Sequence, residues 1–143
     1  MENKVASFED LIVWKEAMNL CYEVYDSLIS SKDFGLRDQI QRSSVSIPSN
    51  IAEGFERETD KEFIRFLYIA KGSCGELRTQ LYIAKRQKTI SENSCDHYII
   101  KVKTIAALIQ RLISSKKNKL LKKIGKGLLL LLTSLPFFPS STS

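Results

Sequence analysis

Few residues of this chain have the types and spacing that catalysis requires. His97 is the only histidine among 143 residues, and its place near the start of a predicted helix favours a surface position over a general base. Glu53 and Glu56 are three residues apart and could suggest a pair of catalytic carboxylates. With Arg57 beside them, an ion pair between this arginine and a glutamate on the helix surface is the better interpretation. The run 72–75, Gly-Ser-Cys-Gly, lacks the preceding strand and the Lys-Ser/Thr ending of a phosphate loop. We therefore predict no catalytic residue, no small-molecule substrate and no enzymatic activity.

The three cysteines predict neither a metal site nor a disulfide framework. Cys21, Cys74 and Cys95 form no Cys-x-x-Cys pair, and a single histidine does not complete a zinc site. The first residues contain no apolar stretch preceded by basic ones, so we expect no secretory signal, reduced thiols and a cytoplasmic protein. Cys21 and Cys74 fall on apolar stripes and are expected in the core. No metal and no cofactor is predicted.

The formal charge of +6 is unevenly distributed along the chain. Residues 1–90 hold 13 Lys and Arg against 14 Asp and Glu, whereas residues 91–143 hold 9 against 2. Basic side chains along helices and a tail can bind the phosphates of RNA or DNA, or they can simply be solubilising surface charges. The candidates for nucleic-acid contacts are Arg37, Arg42, Arg65, Lys71, Arg78, Lys85, Arg86, Lys101, Lys103, Lys116, Lys117, Lys119, Lys122 and Lys123.

The elements that position these residues are helices, since apolar residues recur three and four apart and no strand pattern is present. Such seams, joined by short connections near Ser31, Arg57 and Thr89, predict an all-α, antiparallel up-and-down four-helix bundle in residues 1–115. The predicted helices cover residues 7–30, 34–54, 60–88 and 91–115, with Gly54 ending the second. Their predicted core residues are Leu11, Trp14, Met18, Cys21, Tyr25 and Leu28; Leu36, Ile40, Ser43, Ile47, Ile51 and Phe55; Phe63, Leu67, Ala70, Cys74, Leu77, Leu81 and Ala84; and Tyr98, Val102, Ile105, Ile109 and Leu112.

A proline lies inside the second predicted helix. Pro48 has no amide hydrogen and its ring crowds the carbonyl of Ser44, so we predict a kink, with a cost of roughly 3 kcal/mol that local hydrogen bonds must offset. Nearby small polar residues are suited to that role. The predicted structural polar seam consists of Ser46, Pro48, Asn50, Glu53 and Arg57.

The third predicted helix has more apolar surface than one core needs. Its own apolar residues occur on nearly all sides of the helix. Gly72, Ser73 and Gly75 are small residues of the kind found where another backbone comes close. A wide core stripe is the alternative, but we predict a subunit interface and a homo-oligomer. The interface candidates are Ile64, Phe66, Tyr68, Ile69, Tyr82 and Ile83.

The last segment, residues 116–143, changes character. Its lysines alternate with Leu120, Leu121, Ile124 and Leu128, as in a cationic amphipathic helix, and a leucine-rich stretch of about a dozen residues follows, against the roughly 20 that span a bilayer. The segment could lie on a membrane surface, cover a subunit groove or be loosely ordered, and we predict a loosely ordered tail.

Several sequence runs resemble a known family over about residues 7–115. They are Phe8-Glu-Asp-Leu-Ile-Val-Trp14, Phe34-Gly-Leu36, Gln39-Ile-Gln-Arg42, Ser46-Ile-Pro-Ser-Asn-Ile-Ala-Glu-Gly54 with Arg57, Phe66-Leu-Tyr-Ile-Ala-Lys-Gly-Ser73 and Glu76-Leu77. They resemble the four-helix-bundle proteins encoded in intervening sequences of bacterial 23S ribosomal RNA genes.

This resemblance implies a small antiparallel bundle that assembles as a homopentamer, without enzymatic activity. A related branch, the accessory proteins of diversity-generating retroelements, forms basic pentameric barrels that bind a reverse transcriptase and nucleic acid. The present chain departs in two ways: its bundle region is not strongly basic, and residues 116–143 extend past the usual end of the family.

Three functions follow from the sequence. Nucleic-acid binding through backbone contacts by an oligomer is the leading hypothesis, because each basic patch would repeat around a ring. A pentameric scaffold for a protein partner is the alternative, and association of the tail with a membrane surface is the second alternative.

Overall fold

Four α-helices dominate the computed structural model, which describes residues 5–136. After a 3₁₀ turn at Phe8–Asp10, the chain forms α1 (Ile12–Leu28), α2 (Phe34–Phe55), α3 (Asp60–Gln87) and α4 (Glu92–Ser134). α1 packs against α2 and α4, and α3 packs against the same two helices, so α1 and α3 lie at opposite corners. The predicted all-α four-helix bundle is confirmed.

Polar side chains fix where three helices begin. The Asp33 carboxylate accepts a hydrogen bond from the Leu36 amide at 3.1 Å at the start of α2. The hydroxyls of Thr59 and Ser91 accept equivalent bonds from amides three residues on, both at 3.2 Å, at the starts of α3 and α4. These caps satisfy amides that have no partner within the helix. The connections therefore fall at the predicted positions.

Side-chain pairs show that α3 and α4 run antiparallel. At one end of the pair, the Lys85 ammonium lies 2.7 Å from the Asp96 carboxylate. At the other end, the Lys116 ammonium donates to the Asp60 carboxylate at 3.1 Å. Residue numbers thus rise along α4 as they fall along α3, and Asp60 is the first residue of α3.

The predicted seam of α3 forms the centre of the core. All seven of its residues are buried, and most of the α2 and α4 seams are buried with them. The α1 prediction was partly wrong. Tyr25 is exposed and Trp14 and Met18 are half-buried, because the neighbouring stripe faces α2 and α4 instead. The α1 residues that enter the core are Val13, Ala17, Leu20, Cys21, Val24 and Leu28.

The predicted end of the fourth helix at residue 115 was wrong. α4 continues to Ser134, so the segment expected to be a loosely ordered tail is helical over its described part; residues 137–143 lie outside the described range. Lysines and leucines favour helix and outweigh the cost of Gly125 and Gly127, and the helix ends where Pro136 disfavours helical geometry at Leu135. None of the described helices is long and apolar enough to cross a membrane.

Gly54 has a different role from the predicted helix terminator. No described glycine has a positive φ angle, and α2 continues past Gly54 to Phe55. A Cβ atom at this position would lie 2.6 Å from the Phe66 Cβ and 3.3 Å from the Phe63 carbonyl oxygen. Gly54 therefore lets the backbone of α2 approach α3 closely.

We predict that Gly54→Ala lowers the free energy of unfolding by about 1–3 kcal/mol, because the new methyl group meets backbone and Cβ atoms that have little room to move. Gly35→Ala is the matched control, since its Cβ would have only the Asp33 carboxylate, 4.0 Å away, nearby. Chemical denaturation of both variants measures the difference. Equal stability of the two variants would contradict the close approach.

α2 continues through Pro48, which is buried. The hydroxyl of Ser44 donates to the carbonyl of Gln41 at 2.8 Å, and the Ser43 hydroxyl oxygen lies 3.1 Å from the carbonyl oxygen of Ile40. Asn50 donates its amide to the Ser46 carbonyl at 2.8 Å. These bonds reach carbonyls on either side of Ser44, whose own carbonyl loses its amide partner at Pro48, so they stabilise the helix around the proline without replacing that bond. The kink itself remains a prediction.

We expect Pro48→Ala to raise the free energy of unfolding by about 1 kcal/mol. Restoring the amide and helix propensity gains roughly 3 kcal/mol, whereas the loss of two buried methylenes costs about 1.6 kcal/mol. Thermal unfolding, with the assembled mass measured alongside, tests this. A lower unfolding midpoint would mean that the bundle requires the bend, and weaker assembly at higher stability would place the bend in a subunit contact.

Candidate functional site

α3 presents an exposed, largely uncharged face at its corner of the bundle. Tyr68, Gly72, Gly75, Thr79 and Tyr82 follow one another at spacings of four and three, which places them on one side of the helix. Ile69 and Ile83 flank this row. We call the set the α3 face. The exposed fractions of its large side chains are 43% for Tyr68, 42% for Ile69, 50% for Tyr82 and 46% for Ile83.

The two glycines of the α3 face are not required by packing within the chain. A Cβ atom added at Gly72 or Gly75 would have no described neighbour within 4 Å. Glycine inside a helix costs roughly 1 kcal/mol relative to alanine. The glycines thus leave the α3 backbone uncovered between Tyr68 and Tyr82, where another backbone can approach it.

Two predicted interface residues, Ile64 and Phe66, are buried within the bundle itself. Each is only 8% exposed. Ile64 belongs to the core, and the Phe66 ring lies 4.8 Å from the guanidinium carbon of Arg57. The prediction placed them outside because α3 is apolar nearly all round, but its first turns contact both α2 and α4. For these two residues the wide core stripe was the right interpretation.

A second apolar surface lies between α1 and α2. It is an open groove of about 470 Å³, which we call the α1–α2 groove. We did not predict this groove from the sequence, and four of its residues were assigned to the α1 core stripe. The sequence feature that could have indicated it is a second apolar stripe on α1, next to the one that faces the core. The groove is lined by Phe8, Trp14, Met18, Cys21, Tyr22, Tyr25, Val45, Pro48, Ser49 and Ala52.

The structure divides the predicted polar seam into separate parts. Ser46 joins α2 to α3, because its hydroxyl lies 2.8 Å from that of Ser73 and 3.0 Å from the Asn50 amide nitrogen. Sequence reasoning missed a second bond between these helices, in which the buried Ser43 hydroxyl donates to the Gln80 side-chain oxygen at 2.6 Å. Ser43 was assigned to the core stripe for its spacing alone, and nothing in the sequence indicates that the polar Gln80 is buried beside it.

Glu53 and Arg57 lie apart from the Ser46 bonds. They form an ion pair at 2.5 Å, and their side chains are 52% and 43% exposed. An exposed pair four residues apart contributes only about 0.3–0.5 kcal/mol. Pro48, the remaining seam residue, lines the α1–α2 groove. The five seam residues therefore do not form one connected site.

Six of the fourteen candidate cations are bound within the chain. Arg37, Lys85, Lys101 and Lys116 pair with Asp38, with Asp96 and Glu92, with Glu23 and with Asp60, respectively. Lys71 and Lys117 donate to the Gln110 amide oxygen and the Tyr68 hydroxyl. The four cations beside carboxylates offer little net charge to a phosphate, whereas Lys71 and Lys117 bond to uncharged groups and keep their charge.

The other eight candidates make no ion pair among the described residues. They occur on three helices, and only those of α4 lie close together in sequence, at three positions within one and a half turns. The structure therefore leaves the bundle with scattered positive charge and the end of α4 with concentrated positive charge. The eight are Arg42, Arg65, Arg78, Arg86, Lys103, Lys119, Lys122 and Lys123.

The titratable groups are arranged for packing and ion pairing. Burial raises the pKa of Cys74 to about 12 and also raises the pKa of Cys21 and Cys95, so all three thiols stay protonated at neutral pH. Burial pushes the pKa of Glu23 up, but hydrogen bonds from Lys101 and His97 outweigh it and lower that pKa. Within residues 5–136, no group of three or more Cys, His, Asp and Glu could hold a metal ion.

Comparison with known proteins agrees with this architecture. A crystal structure described as a protein of unknown function from the S23 ribosomal protein family of Bacteroides thetaiotaomicron superposes with a TM-score of 0.67. The match covers 71% of this chain and 98% of that one at 24% identity, which supports the shared fold alone. No protein with a curated description matches. The model of the 23S rRNA-intervening sequence protein family matches residues 9–111, and the chain therefore belongs to that family.

Proposed function

We propose that this protein is a non-catalytic scaffold that assembles into a homo-oligomer through the α3 face. The observation that carries the proposal is the exposure of four large apolar side chains around Gly72 and Gly75. Complete burial of an isoleucine side chain is worth roughly 1.5–3 kcal/mol, and Ile69 and Ile83, each slightly less than half exposed, would gain about half of that in a contact. A second copy of the chain is the partner that is always present at matching concentration.

The position of the α1–α2 groove favours a head-to-tail contact. α1 and α3 occupy opposite corners of the bundle, so the groove and the α3 face lie on different sides of one subunit. When two subunits join through two different surfaces, each pair still has one free surface of each kind. Repeating the contact closes a ring if the rotation between neighbouring subunits divides a full turn. The tyrosines and isoleucines of one α3 face would enter the groove of the next subunit. Family resemblance implies five subunits in such a ring.

We predict that Ile69→Glu combined with Ile83→Glu weakens assembly by more than about a hundredfold, since each glutamate must be desolvated in the contact. Ile100→Glu is the matched control, because Ile100 is 65% exposed on α4 and belongs to neither surface. Light scattering gives the mass, and circular dichroism checks that helix content is kept. An unchanged mass in the double variant would refute the interface, as would equal loss in the control.

Nucleic-acid binding through backbone contacts is the second candidate. The unpaired cations of the bundle favour it, because a ring would repeat each one in every subunit. It ranks below assembly because Arg37, Lys85 and Lys101, assigned to this role from the sequence, are already paired with carboxylates. A protein partner held by the ring is the third arrangement, and it would bind with little dependence on salt.

We expect Arg65→Gln combined with Arg86→Gln to reduce the slope of log affinity against log salt by about 1.8 for duplex DNA, near 0.9 for each lost phosphate contact. Arg37→Gln is the control, because Arg37 is paired with Asp38 and its loss should leave the slope almost unchanged. Fluorescence anisotropy over a salt series, on duplex DNA and on structured ribosomal RNA, measures both. Binding that does not change with salt would exclude the phosphate mechanism.

A further inference from the structure

The end of α4 projects beyond the bundle. Lys116 and Lys117 are level with the first turns of α3, where they contact Asp60 and Tyr68. α3 begins at Asp60, so α4 soon leaves the bundle: Lys119 still lines a groove at its end, Leu120 is half-buried, and residues 121–136 are all exposed. We call residues 118–134 the α4 extension. At 1.5 Å per residue it is about 25 Å long.

Over its first half, the α4 extension separates apolar from charged side chains, and over its second half the five consecutive leucines 128–132 surround the helix. Leu121, Ile124, Leu128 and Leu131 recur at spacings of three and four, which places them along one side of the helix. Leu120 and Leu132 adjoin the same side. Between 58% and 66% of each of Leu121, Ile124, Leu128 and Leu131 is exposed. This apolar side is unpartnered in the single chain.

The opposite side of the α4 extension is cationic over its first half, and the exposed Leu129 and Leu130 follow on that side. Lys119, Lys122, Lys123 and Lys126 recur at spacings of three, one and three, about half a turn away from the leucines. No Asp or Glu follows Asp96 in the sequence, and none of these four lysines has an ion-pair partner among the described residues. The positive charge of this segment is therefore uncompensated.

We propose that the α4 extension binds the surface of an anionic lipid bilayer, lying in the plane of the interface. Its leucines would enter the boundary between headgroups and acyl chains, and its lysines would extend along the helix sides to the headgroup phosphates and carboxylates. Helices with one apolar and one lysine-rich side bind in this orientation, and each basic residue near an anionic surface contributes independently of the others. The proposal does not depend on assembly.

Other occupants fit only one side of the α4 extension. A nucleic acid would neutralise the four lysines but would leave the leucines in water. A second α4 extension would cover the leucines but would add four more lysines to an already uncompensated charge. An anionic bilayer satisfies both sides at once, and charge complementarity therefore selects it.

Co-sedimentation of the full-length protein with phosphatidylcholine vesicles, with and without phosphatidylserine, tests the proposal. We expect partitioning onto the phosphatidylserine vesicles that falls on the order of a hundredfold when Lys119, Lys122 and Lys123 are all replaced by glutamine. Replacement of Leu121, Ile124 and Leu128 by glutamine, itself a good helix former, should abolish binding to both kinds of vesicle.

The matched control for charge is Arg42→Gln, Arg86→Gln and Lys103→Gln, which removes the same three charges from unpaired positions on the bundle and should bind vesicles like the parent protein. Circular dichroism verifies that all three variants fold. Unchanged vesicle binding by the leucine variant, equal loss in the bundle control, or equal partitioning onto neutral and anionic vesicles would each overturn the proposal. So would absence of vesicle binding by a parent protein that still binds duplex DNA through these lysines.

Discussion

The structure depends on one packing constraint: α3 must bury a seam of seven residues against α2 and α4 at the same time. That seam, from Phe63 to Ala84, has spacings of four and three and is buried along its whole length. Burial on two sides fixes the register of both neighbours, through the close approach at Gly54 on α2 and the Lys116–Asp60 pair on α4. It also determines which side of α3 remains outside, and that side carries Tyr68, Ile69, Tyr82 and Ile83.

The mismatch in helix length follows from the same register. α4 begins one short turn after α3 ends, returns along it, and reaches the first residue of α3 with more than four turns still to come. The bundle therefore ends while α4 continues. Concentrated positive charge and unpartnered leucines occur together at this one place, whereas the charges of the bundle are scattered or paired with carboxylates.

Much of the fold could be predicted because periodicity reports burial directly, as the α3 seam and the three connections demonstrate. The α1 core could not, since α1 has two adjacent apolar stripes and only the positions of α2 and α4 decide which one is inside. Gly54 was predicted to end α2 because its neighbour Phe66 belongs to another helix, and the residues next to Gly54 in the sequence do not indicate that contact. The pairing of Lys85 and Lys101 with carboxylates on other helices could not be predicted either, because residue types do not show which side chains meet across the bundle.

The central claim is that two apolar surfaces on different sides of one subunit drive self-assembly. Analytical ultracentrifugation of the full-length protein, over a range of concentrations and at two salt concentrations, tests it most directly. The account predicts a closed species whose mass is a whole multiple of 16.3 kDa and which does not grow further with concentration or dissociate with added salt. A protein that sediments as a 16.3 kDa monomer throughout, with the α3 face exposed, would contradict it.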